Sequence, residues 1–460
     1  MEVFIMKKSM CILISMLVAG VVSAADYYVD NEKGNDSNPG TKEAPFASPS
    51  KALKAMRGGD TVHFIKNKTP YHGRFYLRKL KTTPEKPTVI DGHGSTFDGL
   101  VRHPASDWKA EGNGIFSISL PNNAWVMDSN PGCWSGDFPI VYFDGKPGIN
   151  KKAKKNLEPL SYYLYKSSPR REANKKRNPL HNTLYIMLPN KKTPDSICVE
   201  TSSDTGIGVE GANYIVRNIR AIHSTGDGFD TCWGDNILFE NVEGAYCMDQ
   251  GISNHSSVGV VVKNSYFHHN TGCGIVDCVM NKDKPTEITY SGCLIENNPF
   301  RHEAELRGIN NNANYTFENC VIRNGEIEVV QAGFKVKNCL FENAWIRTGS
   351  NLEVTRCTFT GAKSITLSKG KGKISNSVFL NGAGITLGND TSVKCTGNRY
   401  QTPKFNVQGK AMNFEKFQKI SGDTSSVLLK KELPASLPWS FGNDNSSGAA
   451  LNPADFKFNK

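Results

Sequence analysis

The chain has 460 residues and a formal net charge of +11, long enough to bury a large core. Most of the charge is local: Asp144 to Lys192 holds 13 Lys or Arg against 3 acidic residues, which reads either as a solvated basic loop or as a surface for an anionic partner. No apolar stretch is long enough to span a bilayer, which excludes insertion through a membrane helix.

Taken in order, Met6-Lys7-Lys8, the apolar run Cys11 to Val22 and the small-residue exit Val22-Ser23-Ala24 read as a secretory signal peptide over residues 1–24. The mature chain is therefore expected to be secreted or periplasmic, where an acidic polysaccharide is the expected anionic partner and nucleic acid is not. Residues 25–100 give a strand, a turn-rich loop, a short helix near Ser50 to Met56 capped by Ser48 or Ser50, and a strand at Thr61 to Ile65. Residues 101–205 form an excursion with basic loops and the tryptophans Trp108, Trp125 and Trp134.

From 206 to 405 a repeat takes over. Short alternating strands end in an Asn turn at Asn218, Asn241, Asn264, Asn319, Asn338 and Asn376, with Gly292, Arg356 and Gly397 in the same slot. The spacings are 23, 23, 28, 27, 19, 18, 20 and 21 residues, the signature of a solenoid in which each strand-turn unit buries its apolar face on the next. Asn suits the slot because it tolerates a left-handed backbone and can bond to the Asn one coil below. Cys293, Cys320, Cys339 and Cys357 follow the slot directly, so they are expected to stack inside as free thiols. The helix near Ser50 is the natural cap for one end of the solenoid. Residues 406–460 read as an irregular tail that wraps or seals the other end.

Counting from each turn Asn, Gly228, Gly251 and Gly274 share offset ten, and Phe229, Ile252 and Ile275 share offset eleven. Offset eleven is apolar each time and should face the core. Strand alternation then sends Asp249, Asp230, Ser253 and His255 to the outer face, with the glycines leaving a groove between them and Asp227 at the strand's start. Three carboxylates and a His converging there suit proton chemistry on a sugar, although Asp in such turns can simply bond to backbone amides. Ser253 reads as a bystander, and His268 and His269 as structural. The longer intervals insert CVMNKDKPTE and PFRHEAELRGINNN, expected to project as walls, with Arg301 and Arg307 placed to pair with a uronate carboxylate.

The segments YYVDNEKGNDSNPGTKEAPFASPSKAL, GGDTV and TLYIMLPNKKTPDSICVE resemble exported right-handed parallel β-helix proteins that act on polysaccharides. The resemblance covers most of the mature chain and implies an all-β, pectate lyase-like solenoid. GDGFD is similar to the calcium motif of polysaccharide lyase family 9, with Asp227 and Asp230 matching two of its three Asp and Gly226 standing for the third. The family's catalytic Lys is absent, since the next coil reads Gly251-Ile252-Ser253. The resemblance thus implies a calcium ion on Asp227 and Asp230 without transferring the family's base.

Three readings follow. A lyase would cleave an acidic, uronate-containing glycan by β-elimination, with His255 as base, Lys263 as a second candidate base, and Arg301, Arg307 or calcium neutralising the carboxylate; this reading is placed first. A glycoside hydrolase would use paired acids among Asp227, Asp230 and Asp249. A non-catalytic glycan binder would use aromatic platforms such as Trp108, Trp125, Trp134 or Trp233. In each case the protein is expected to be a monomer.

Overall fold

The computed structural model describes residues 24–120, 141–166, 182–279, 285–298, 302–429, 440–441 and 447–448. The signal segment, Trp125, Trp134, Arg301 and much of the basic stretch lie outside the described residues.

The chain winds as a right-handed parallel β-helix whose coils pass through three sheets. The front sheet carries residues 207–210, 229–232, 252–255, 275–278, 304–307 and 327–330, the second 214–217, 237–240 and 260–263, and the third 219–222, 242–245 and 266–268. Register is strict because one face of every strand is buried. Phe229, Ile252 and Ile275 stack inward in consecutive coils, as do Val216, Phe239 and Val262.

Each repeat slot adopts the backbone its residue type allows. Asn218, Asn241, Asn264, Asn319, Asn338, Arg356 and Asn376 have φ between 50° and 58°, and Gly292 and Gly397 have φ 66°. The amides bond down the ladder, Asn241 to Asn218 at 2.8 Å and Asn338 to Asn319 at 2.6 Å. All ten described cysteines are free thiols. Cys293, Cys320, Cys339 and Cys357 form a fully buried column, each donating to the carbonyl two residues back, for example Cys320 Sγ to Glu318 O at 3.3 Å.

Both ends are covered. The first helix, α1 (Pro49–Ala55), is N-capped by Ser48 and buries Ala52. The tail is less irregular than its sequence suggests: after the strand Phe405–Val407 a second helix, α2 (Phe414–Ser421), is capped by Asn413 and ended by left-handed Gly422. Phe417 of α2 stacks on Phe405 with ring centroids 4.1 Å apart. Eight residues are too few for the helical period to stand out beside a strand repeat.

Near that end Phe341, Phe359, Phe379 and Tyr400 stack with centroids 4.5, 5.1 and 4.9 Å apart. Phe359→Ala is expected to lower stability by about 3–5 kcal/mol. Denaturant titration checks it, and a loss below about 1 kcal/mol would mean the stack is dispensable.

The excursion leaves the helix at the corner between the third and front sheets. It folds into a four-stranded antiparallel sheet and a five-stranded sheet that is antiparallel except at its edge, where Ile149–Asn150 runs parallel to Ser161–Tyr162, around its own core of Trp108, Ile118, Tyr162, Leu184 and Ile186, which also takes in Met248 from the β-helix. Trp108 is thus a core residue, 8% exposed, and not a sugar platform. Among the described residues no helix is long and apolar enough to cross a membrane.

Candidate active site

The corner between the third and front sheets carries two consecutive turns, 223–228 and 246–251, and these place Asp227 and Asp249 one coil apart. Asp230 follows on the front sheet, registered beside Ser253 in the next coil, with His255 two residues on. One donor atom from each of Asp227, Asp230 and His255 lies within 4.8 Å of the others.

The expected solvent-facing row is more covered than alternation alone implies. Asp230 and Asp249 are only 9% and 8% exposed, and Asp249 sits in a turn, not on a strand. Beside Asp249, Met248 plugs into the excursion's core, and Tyr142 packs edge-on against His223 at 5.0 Å; Asp230 is held by Arg74. The offset-ten glycines do not open a groove. A Cβ on Gly228 would come within 2.9 Å of Gly251 O, and one on Gly251 within 2.8 Å of Gly274 O, so these glycines let the corners stack tightly.

The repeat count did not reach Arg74 or Asp204. Arg74 Nη2 donates to Asp230 Oδ2 at 2.9 Å, and Nη1 lies 3.9 Å from Asp204 Oδ1. Arg74 belongs to the strand Arg74–Arg78, which pairs with residues 206–210 on the side away from Asp230. The guanidinium spans that intervening strand, where Gly208 lies under the Tyr76 ring; a Cβ on Gly208 would fall 2.1 Å from the ring. Matching Phe75 to Phe229, both core positions in this register, is the signal that would have found Arg74.

The electrostatics separate the acids. Burial pushes Asp227 well above the usual carboxylate range, and Asp249 and Asp230 push further, opposed by the Gln250 N–H that Asp227 Oδ1 accepts at 3.2 Å and by Arg74. Burial also raises Asp230, but His255 and Arg74 oppose it. Burial raises Asp204 against Arg74. Asp230 Oδ1 is buried without a hydrogen-bond partner among the described residues. Ser253 Oγ lies 3.0 Å from His255 Nε2, within hydrogen-bond distance.

Other expected contacts fall elsewhere. Lys263 ends a strand of the second sheet, between Glu240 and Ser291, on another face of the coil. Residues 302–307 are not part of a projecting loop but a front-sheet strand with Ala304 and Leu306 inward, and the alternation HEAELR marks it as one. Arg307 pairs with Glu305 and lies 4.0 Å from Glu328, so its charge is already met. Trp233 is 55% exposed at the turn that ends the Asp230 strand segment. His268 bonds His269 and Glu243, a structural role. A depression of about 440 Å³ lined by Lys335, Lys371, Lys373 and Lys394 lies on the second sheet, away from the acids.

Calcium suits this donor set poorly. It takes roughly six to eight oxygen ligands, whereas here the third donor is an imidazole and Arg74 already holds Asp230 Oδ2.

No protein-family profile matches the chain, and no curated protein matches it. Solved structures share the fold. The XylC protein in complex with xylose superposes at TM-score 0.55 with 12% identity, over 83% of this chain and 69% of that one. A glycoside hydrolase matches at TM-score 0.45 with 12% identity over 88% and 96%, and pectate lyase Pel9A at 0.44 with 14% over 82% and 80%.

Proposed function

We propose that this chain is a carbohydrate-active enzyme that hydrolyses a glycosidic bond at the front-sheet corner, with Asp227 as general acid and Asp230 as the opposing carboxylate. The observation that carries the reading is one oxygen of Asp227 within 4.8 Å of one oxygen of Asp230, with Asp227 held well above the usual carboxylate range while His255 and Arg74 oppose the rise at Asp230. Retaining glycosidases hold their two acids about 5–5.5 Å apart. Asp227 gives its proton to the leaving oxygen while Asp230 attacks the anomeric carbon, and water assisted by the Asp227 carboxylate then releases the sugar. Asp249 acts through Asp227, keeping its proton on; Arg74 aims the Asp230 carboxylate and, with His255, opposes the burial that raises its proton affinity. Trp233 offers an aromatic face at the rim.

Arg74 is taken up by Asp230, so its charge is not open to a uronate carboxylate, which favours a neutral glycan. The lyase reading rests on a different feature, the imidazole of His255 beside Asp230 with a guanidinium nearby, the base-and-cation pairing that elimination needs. Purified protein incubated with neutral and acidic polysaccharides, xylan included, separates the two. New reducing ends without the ultraviolet absorbance of unsaturated uronate are expected; the two rising together would replace hydrolysis with elimination. Binding without new ends would leave a glycan-binding protein.

A further inference from the structure

The N-terminal coils bring two histidines and two aspartates to one patch of the second sheet, on strands that carry none of the candidate acids. His63 lies on the strand Thr61–Phe64, with Asp91 directly beside it on the next coil and the strand Asp26–Val29 on its other side. His93 follows Asp91 in a turn with φ 50°. This turn aligns with Asn218 one coil on, so His93 stands where later coils place Asn. Its ring reaches down the stack, its Nε2 2.9 Å from His63 Nδ1, and its Nδ1 lies 3.8 Å from Asp91 Oδ1. One donor atom from each of His63, Asp91 and His93 lies within 4.8 Å of the others.

Behind this trio, Asp26 Oδ1 is 3.4 Å from His63 Nε2, the nitrogen that does not face His93. A carboxylate on the second ring nitrogen is what orients metal-binding histidines and raises their basicity. Asp91 still has capacity. A carboxylate offers about four acceptor positions, and Asp91 accepts the His93 N–H at 3.1 Å, Asn218 Nδ2 at 3.0 Å and Arg217 Nε at 2.7 Å. The patch is also reachable, since the His93 side chain is 50% exposed while that of Asp91 is 5% exposed.

We infer that His63, His93 and Asp91 bind a late first-row divalent cation of the zinc class, with water completing the shell, and that the ion clips the first coils together. Two imidazoles and one carboxylate match zinc's preference and not calcium's. Tetrahedral Zn–N bonds of about 2.0–2.1 Å require the two ring nitrogens to separate by only a few tenths of an ångström. The position explains the need: the terminal coil of a solenoid has a neighbour on one side only and opens most readily, and this ion ties two successive coils beside that end.

The test uses untagged, chelator-treated full-length protein titrated with zinc chloride. Saturable binding and a rise of several degrees in the thermal midpoint are expected, and cobalt(II) is expected to give the visible absorption of a tetrahedral site. His93→Asn installs the residue later coils carry in that turn, so it is expected to fold while losing both the cobalt spectrum and the thermal gain. Asp230→Asn is expected to keep both. Absence of the cobalt spectrum in the parent protein, or its persistence in the His93→Asn variant, would overturn the assignment.

Discussion

Asp227→Asn is expected to lower kcat on an unactivated glycoside by about 10²- to 10⁴-fold, the usual contribution of a general acid. The loss follows from what the carboxyl is for. An alkoxide leaves slowly unless it is protonated as the bond breaks, and Asp227 is the acid in the site that burial, Asp249 and Asp230 together keep protonated above the ordinary carboxylate range. Asn keeps the shape and can still accept the Gln250 N–H, so the fold should survive. Two signatures separate lost acid catalysis from general damage. Substrates with good leaving groups should lose far less rate than those with poor ones, and the alkaline limb of the pH profile, where the parent enzyme fades as Asp227 ionises, should flatten. Equal losses on both substrate types would assign Asp227 a structural role.

The second large effect concerns Asp277, which the repeat places inside the helix in register with Asn254. It is fully buried and accepts the Tyr290 hydroxyl at 2.7 Å. Burial raises its pKa from 3.8 to about 7, while the bonds to Tyr290 and Asn254 oppose the rise. Because the folded value lies above the unfolded one, folding favours the protonated acid. Stability from this group is fully present below pH 3.8, falls as pH climbs, and is gone above about pH 7. The full swing is on the order of 4 kcal/mol. Glu303, also buried and raised to about 7, adds a parallel loss. Asp277→Asn keeps an acceptor for Tyr290 and removes the charge, so denaturant midpoints measured from pH 4 to 8 should decline less steeply than in the parent. An unchanged slope would mean that Asp277 carries no titrating charge in the fold.

Which residues were readable follows from what a repeat encodes. A period tells which residues share a position and which point inward, so Asn218, Asn241 and the Cys293 to Cys357 column could be placed from spacing alone. It also put Asp230 and His255 on one strand face. It does not tell which of three faces a strand end occupies, and Lys263 was therefore drawn toward a site it does not reach. Arg74 was invisible for another reason: about a hundred residues of excursion separate its coil from the next, and the count restarts on the far side. Asp249 looked exposed because alternation knows nothing of a separate domain docked over the turn through Met248. Arg307 looked free because its partners, Glu305 and Glu328, meet it only once HEAELR is recognised as a strand.

The most direct test of the paired-acid account is the configuration of the sugar at the moment of release, followed by proton NMR on a glycoside that the protein hydrolyses. Two carboxyls as close as Asp227 and Asp230 leave no room for a water between acid and sugar, so the first product is expected to keep the anomeric configuration of the substrate. Inversion would contradict the pairing and require a more distant carboxylate as the base.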